Sequence, residues 1–585
     1  MNKFRTVKMF SILLIIAIIG LSATNCSREN RTLAELGDEK ITLGEFEKQY
    51  LKTVGNIDTA KNKPLEDKQQ FLNLYVNFRL KVKDARERGL LNNPEIQKDI
   101  EEYKRNYSPT YLVDKEIVES EVKKLYDMKK DEVRASHILI QMPENASPED
   151  SAAAYQKADT IIQKLEDGAN FEDLAVEYSQ DRTVRTNRGD LYYFTGGMTV
   201  PEFEDAVYDM RVGQFTKKPV RTMFGLHIVK LTDRKGRIES VRISHILIQD
   251  KRDSLGNIID SVETYQKTLD IYNRAKGGES FEELANQFTE DQGSKNQMGD
   301  IGYMERRRLA QPLDSVAFNT KVGDISGPIR TPYGWHIIKK TDEKPLASFE
   351  KQFENLKNEY KKTQKYKEDY AKFVETLKEK YSYKILDEGM GFLQSKFDTS
   401  KTIADYNLDS LFSQADKEVK LAAYDGGDIK IIDIINHMNI NRDYQRMALN
   451  KETIIKIINS SAENSLLNKR ADDLGIEDDE EYIANLTDYE NGLLVFRIDQ
   501  DELWSKVKVN ENDLVSYYEA NRSKFTKVDS TGNSIPKTFD EVRAEISNEL
   551  QQIKYKDTEK AYLESLRQKY PVKIYDEVLA EAFKE

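Results

Sequence analysis

Four of the chain's five histidines stand in two matched settings. The hexapeptide SHILIQ supplies His137 at Ser136–Gln141 and His245 at Ser244–Gln249; FGLHIVK and YGWHIIK supply His227 and His336. Each pair comes with an aspartate and a threonine: Asp181 and Thr222 in the first set, Asp291 and Thr331 in the second. Two imidazoles and a carboxylate can begin a metal site, but zinc sites draw on further His or clustered Cys, and one Asp does not specify the ion. No metal and no other cofactor is therefore expected. A lone histidine is usually a hydrogen-bonded core residue. The same polar quartet present twice argues instead for imidazoles that work as pairs, with core stabilisation as the competing reading.

These settings belong to longer copies. VRASHILIQ, YQKADTIIQKLEDGANFEDLAVEYSQD, RGDLYYF and RTMFGLHIVKLTD are matched by VRISHILIQ, YQKTLDIYNRAKGGESFEELANQFTED, MGDIGYM and RTPYGWHIIKKTD. The offset holds at 108 to 110 positions, which marks duplicated domains. Each copy reads β-α-α-β-α-β. ASHILIQ is a short strand, Leu165, Phe171, Leu174, Ala175 and Tyr178 give helical spacing around the breaker Gly168, and LHIVKL or WHIIKK alternates as a closing strand. The expectation is two small α+β domains, residues 132–235 and 240–344.

The motifs strand-HIL, FxxLAxxxS/TxD, GDL/GDI and TxxGxH-I closely resemble the parvulin family of peptidyl-prolyl cis-trans isomerases, over residues 133–234 and 241–342. The resemblance implies rotation about X-Pro bonds. That rotation breaks amide resonance, with a barrier of about 18–20 kcal/mol, and takes tens to hundreds of seconds uncatalysed. No covalent step is needed; the proline ring must be held in an apolar pocket and water excluded. In the first copy the resemblance implies that His137 and His227 lie back to back on central strands. Asp181 would face the substrate amide, Thr222 bond the histidines, Leu191 and Phe203 form the proline pocket, and Phe224 stand at its rim. In the second copy the polar set is His245, Asp291, Thr331 and His336, and the pocket Ile301, Leu309 and Leu313 with Tyr333 at the rim. Two departures matter. Thr199 falls where the family has Met, with Met198 one residue early, and Leu313 replaces a customary Phe, removing an aromatic wall. The first copy is therefore expected to be the more active. Neither loop after the first strand (QMPENASPED, QDKRDSLGNIID) has the dense basic cluster that phosphoserine recognition needs.

At 585 residues the chain exceeds a single core. Charged residues make up 33% and aromatics 10%, as in a folded protein with well-solvated helices, and a net charge of -13 argues against a nucleic-acid partner. MNKFRTVK, the apolar run MFSILLIIAIIGLSA and then TNCSREN read as an export signal over residues 1–25, short for a membrane-spanning helix. Cys26, the one cysteine, stands where processing would occur. This resembles a bacterial lipoprotein signal and implies a lipid anchor in the periplasm of a Gram-negative envelope, although Ala23-Thr24-Asn25 lacks the usual Leu three residues before the cysteine. The other reading is ordinary cleavage nearby, leaving a free thiol. Internal disulfides are excluded, so packing alone must stabilise the fold.

The remaining segments repeat in order. LGDEKITLGEFEKQY is echoed by GGDIKIIDIINHM, LKVKDARERGLLNNPEI by LLNKRADDLGIEDDEEY, SEVKKLYDMKKDE by ENDLVSYYEANRSKF, and the stretch 349–388 by 539–577. The expected organisation is a multidomain chain with the two parvulin domains inserted in all-α, chaperone-like helical modules. Residues 26–131 and 345–390 form the first module. Residues 391–585 form the second, with only a polar turn (TKVDSTGNSIPKT) in place of the insert. Each C-terminal helix is expected to pack back on its own module. This arrangement resembles the SurA- and PpiD-type periplasmic foldases, and so implies unfolded or nascent exported proteins with X-Pro bonds as partners. Two rival readings remain: a non-catalytic holdase using inactive parvulin domains to bind peptide, and a structural envelope protein with relict domains.

Overall fold

The computed structural model describes residues 28–398, 401–528 and 534–584; the export signal and Cys26 lie outside them. The chain forms two compact units, one of residues up to Leu112 and from Val374 onward, the other of Val113–Phe373. The first unit opens with an antiparallel hairpin, β1 (Thr32–Leu36) and β2 (Glu39–Thr42). The helix Leu43–Val54 follows directly, started by the Thr42 side chain accepting the Glu45 N–H.

The second unit holds two four-stranded antiparallel sheets. In the first, β3 (Asp131–Gln141), β4 (Asp190–Phe194), β5 (Val220–Thr222) and β6 (Gly225–Gly236) run in the order β4-β3-β6-β5. In the second, β7 (Ile238–Gln249), β8 (Asp300–Met304), β9 (Ile329–Thr331) and β10 (Gly334–Pro345) run β8-β7-β10-β9. Helices Pro148–Glu166 and Phe171–Tyr178 cover one face of the first sheet over Ile138, Ile140, Leu226 and Ile228. Helix Pro201–Asp209 covers the other over Val133, Ala135, Val229 and Leu231. Both central strands are thus buried on two faces, which is why they are apolar at both parities. Beyond the expected β-α-α-β-α-β order, each domain has one more strand, β5 or β9, and one helical turn, Val184–Asn187 or Gln292–Lys295. Three or four residues are too few to carry a period.

The first unit resumes with β11 (Lys384–Ile385), β12 (Lys420–Tyr424) and β13 (Gly427–Lys430), in the order β11-β12-β13. A small hairpin of β14 (Thr526–Val528) and β15 (Ser534–Pro536) follows where a polar turn was expected. The last strand, β16 (Val572–Ile574), pairs with β1 in the sheet β16-β1-β2. One expectation is corrected here and one is extended. The helical modules are not all-α: each carries a three-stranded sheet, built from short segments such as EKIT and GDIK whose turns use Gly37 and Gly426 at positive φ. Each C-terminal helix does pack back on its own module, Phe349 against Tyr126 and Val542 and Ile546 with Leu514, but the strands that follow are exchanged. β16, at the end of the chain, joins the N-terminal hairpin, whereas β11 joins the hairpin that follows it. The flanking tyrosines obey the same exchange. Tyr570 donates to Glu87 Oε2 at 2.6 Å and Tyr381 to Asp473 Oδ2 at 2.8 Å. Leu566 and Tyr570 complete the core of Leu36, Phe46, Leu72 and Val76.

Candidate active sites

Strand register sets the first histidine pair. On β3, Val133, Ala135 and His137 share the face covered by helix Pro201–Asp209; on β6, His227, Val229 and Leu231 do. His137 lies opposite Val229 and Leu139 opposite His227, so the two imidazoles are diagonal neighbours on one face. The chain after helix Phe171–Tyr178 is zipped along β3. Ser179 Oγ accepts the Leu139 N–H at 3.0 Å, and the Gln180 N–H donates to Leu139 O at 2.8 Å. This delivers Asp181 to His137. On the other side Gly189, at φ 87°, accepts the His137 N–H at its carbonyl; a Cβ there would stand 2.7 Å from His137 O. The GD motif is therefore the contact that lets β4 close on β3 beside the histidine.

The four polar groups form one directional chain. Asp181 Oδ2 lies 2.7 Å from His137 Nε2, the two Nδ1 atoms of His137 and His227 are 3.2 Å apart, and Thr222 Oγ1 is 2.8 Å from His227 Nε2. A carboxylate only accepts, so His137 donates from Nε2 and accepts at Nδ1. His227 then donates from Nδ1 and accepts the Thr222 hydroxyl at Nε2. The Thr222 oxygen accepts the Phe224 N–H at 3.1 Å, which ties the rim residue to the chain. Burial, and then the charge a protonated His137 would bring, push His227 down to about 4. Burial also lowers His137, against the opposing pull of Asp181. For Asp181, burial raises the carboxyl, but hydrogen bonds from Thr183 and His137 outweigh it and hold the group below the usual range. At neutral pH the chain is two neutral imidazoles and one carboxylate.

The second quartet is assembled in the same register, with Leu247 opposite His336 and His245 opposite Ile338. Asp291 Oδ2 lies 2.8 Å from His245 Nε2 and Thr331 Oγ1 2.8 Å from His336 Nε2. Burial, then His245, push His336 down to about 4. The link between the imidazoles is absent. Both Nδ1 atoms are buried without a hydrogen-bond partner among the described residues, and the rings sit 5.7 Å apart and tilted 31°. Ser294, on the added helical turn, lies 2.9 Å from His245 Nε2 and donates to Asp291 Oδ2 at 2.6 Å. It inserts a third group where the first site has Val184. A cleft of about 530 Å³ opens above this set, lined by Leu247, Asp291, Tyr333 and His336.

The pocket residues named from sequence also converge. Phe203 is 3% exposed and meets both first-site imidazoles edge-on, at 6.0 Å and 5.4 Å between centroids. Leu191 packs into the same cluster, and Phe224 is 54% exposed at the rim. In the second domain Ile301 and Leu309 pack with Leu313, and Tyr333 is 69% exposed. Thr199 is no pocket wall: its N–H and hydroxyl both bond Glu204, while Val200 packs against the Phe203 cluster. Glu204, Ser294 and Val200 escaped the sequence reading. The buried Glu204 carboxylate accepts the Gly197 and Thr199 N–H groups and so shapes the loop over the pocket. Among the described residues no group of three His, Cys, Asp or Glu side chains could hold a metal ion.

Residues 120–235 and 229–344 match the family model of the PPIC-type PPIase domain. The protein named Chaperone SurA from Alcanivorax borkumensis is 31% identical over 220 residues, 37% of this chain and 49% of that protein. Its namesake from Methylobacillus flagellatus is 33% identical over 215 residues, 36% of this chain and 47% of that protein. The chain spans about half the length of the curated relatives it matches. A crystal structure of a PpiC-type peptidyl-prolyl cis-trans isomerase domain is 25% identical and covers 19% of this chain and 95% of that one, with a TM-score of 0.17.

Proposed function

We propose that this chain, a carrier of two PPIC-type parvulin domains, is an exported foldase that isomerises X-Pro bonds in unfolded client proteins at its first site. The observation that carries the reading is the unbroken chain Asp181–His137–His227–Thr222 beneath the Phe203 wall. Phe203 and Leu191 take the proline ring. Phe224, exposed and fixed through Thr222, covers the flanking peptide. A planar amide is more polar than a twisted one, so stripping water from it raises the ground state more than the transition state. The imidazoles hold the Asp181 carboxylate in place at the edge of that pocket. Clients are bound by the helical unit, and Cys26 supplies the lipid anchor that keeps the protein in the periplasm; one acyl chain alone binds a membrane only marginally, so a multiply acylated cysteine is needed.

The second site favours a different role. Leu313 lacks an aromatic face, and the imidazoles are not joined. These features support peptide binding without fast isomerisation, the holdase behaviour confined to one domain. The test is cis-to-trans exchange of a proline peptide with the full chain. Asp181→Ala is expected to slow it on the order of 10²-fold, as loss of one placed electrostatic group does, and Asp291→Ala to change it less than about twofold. Equal loss in both variants would make the sites equivalent, and no exchange by the parent would leave only the holdase.

A further inference from the structure

The second domain lays a loop along the first domain's pocket strand. β4 is an edge strand, paired with β3 alone, so the carbonyls of alternate residues along its other edge need partners. Arg307 provides them: its Nε donates to Tyr193 O at 2.8 Å and its Nη2 to Leu191 O. The neighbouring Arg306 donates to both oxygens of Glu132, at 2.9 and 2.8 Å, and to Asp314 Oδ2 at 3.0 Å. The Glu132 and Asp314 side chains are 2% and 0% exposed. Asp314 also takes the Tyr192 hydroxyl at 3.0 Å and the Arg307 N–H at 2.8 Å.

Tyr192 has φ 60°, a left-handed conformation that costs a residue with a Cβ. The corresponding residue of the second domain is Gly302, at φ 75°. A tyrosine persists there because its hydroxyl is held by Asp314, across the seam between the domains. Leu191, which packs with Phe203, is the residue immediately before it.

We propose that the second parvulin domain is a built-in brace for the first site, in which Arg306 and Arg307 are positioning residues that hold β4, and with it Leu191, against Phe203. The proposal rests on the reading of the first site as a proline pocket. Arg306 cannot be removed cleanly, since the buried Glu132 would keep only Lys235, at 3.8 Å, and the buried Asp314 only neutral donors. Arg307 lies at the surface of the seam, and its loss strands no buried charge.

The test uses the full chain with Asp291→Ala, so that only the first site reports, and compares Arg307→Ala and Arg307→Lys in that background. Arg307→Ala is expected to raise KM for a proline peptide on the order of tenfold with kcat nearly kept, below the roughly 10²-fold that a 1 Å misplacement can cost. Arg307→Lys, which keeps the charge but not the fork, should fall between. Unchanged KM in Arg307→Ala, or a lowered kcat with a lowered melting temperature and no change in KM, would overturn the brace. If the parent shows no isomerisation, the catalytic reading fails and the brace is read from the same peptide's affinity: weaker binding by Arg307→Ala supports it, and equal binding overturns it.

Discussion

The two parvulin domains share a sheet order, a register and a quartet of polar residues, yet one quartet is a continuous hydrogen-bonded chain and the other is cut in the middle. In the first, the Nδ1 atoms of His137 and His227 meet at 3.2 Å; in the second, those of His245 and His336 have no partner. Two substitutions around the histidines account for this. Phe203 presses edge-on against both imidazoles, and Leu313 cannot. Val184 stays out of the polar chain, whereas Ser294 enters it and draws His245 and Asp291 toward itself. Residue identity at the four shared polar positions does not decide whether a site is wired; the side chains around them, Phe203 or Leu313 and Val184 or Ser294, do.

The largest test concerns what the sites share. His227 and His336 lie at about 4 in the fold against 6.5 unfolded. The unfolded state therefore binds more protons between these values. Stability from the buried neutral imidazoles is complete above about 6.5 and is lost as pH falls toward 4, on the order of 3 kcal/mol for each. Urea melts at pH 7.5 and 4.5 should show it, and His227→Phe should remove the first domain's share.

Next, Thr222→Val leaves His227 without its donor and breaks a four-member chain, whereas Thr331→Val breaks a single pair. We expect losses of about 2 and about 1 kcal/mol in urea melts, and equal losses would erase the distinction between the sites. Exchanging the wall follows: Phe203→Leu should cost about 1 kcal/mol and weaken proline-peptide binding at the first site, while Leu313→Phe should strengthen it at the second, by calorimetric titration. The smallest effect is Ser294→Ala, under about 1 kcal/mol. Its informative readout is the His245–His336 pair, whose ¹⁵N shifts should move toward those of a hydrogen-bonded imidazole.

Much of this was legible in the sequence because it is local or periodic. SHILIQ fixes which face His137 takes, and the S/TxD spacing places Asp181 once Ser179 is zipped to the strand. What stayed hidden depends on contacts with no period. Arg306 and Arg307, in MERRRLA, belong to no motif, and their bonds depend on the neighbouring domain lying beside them. The wiring of the second site turns on Ser294, one hydroxyl that no motif contains. The strands EKIT and GDIK are hidden because four residues cannot show an alternation, and the pairing of β16 with β1 joins segments from opposite ends of the described chain.

That last pairing sets a timetable. A ribosome makes Thr32–Leu36 long before Val572–Ile574, so the outer edge of β1 must stay open while everything between them is made. An open edge strand invites foreign strands, and closure over so long a loop is slow. The hairpin of β1 and β2 is therefore made long before its sheet can be completed, and until then it presents an open edge of the kind that invites aggregation.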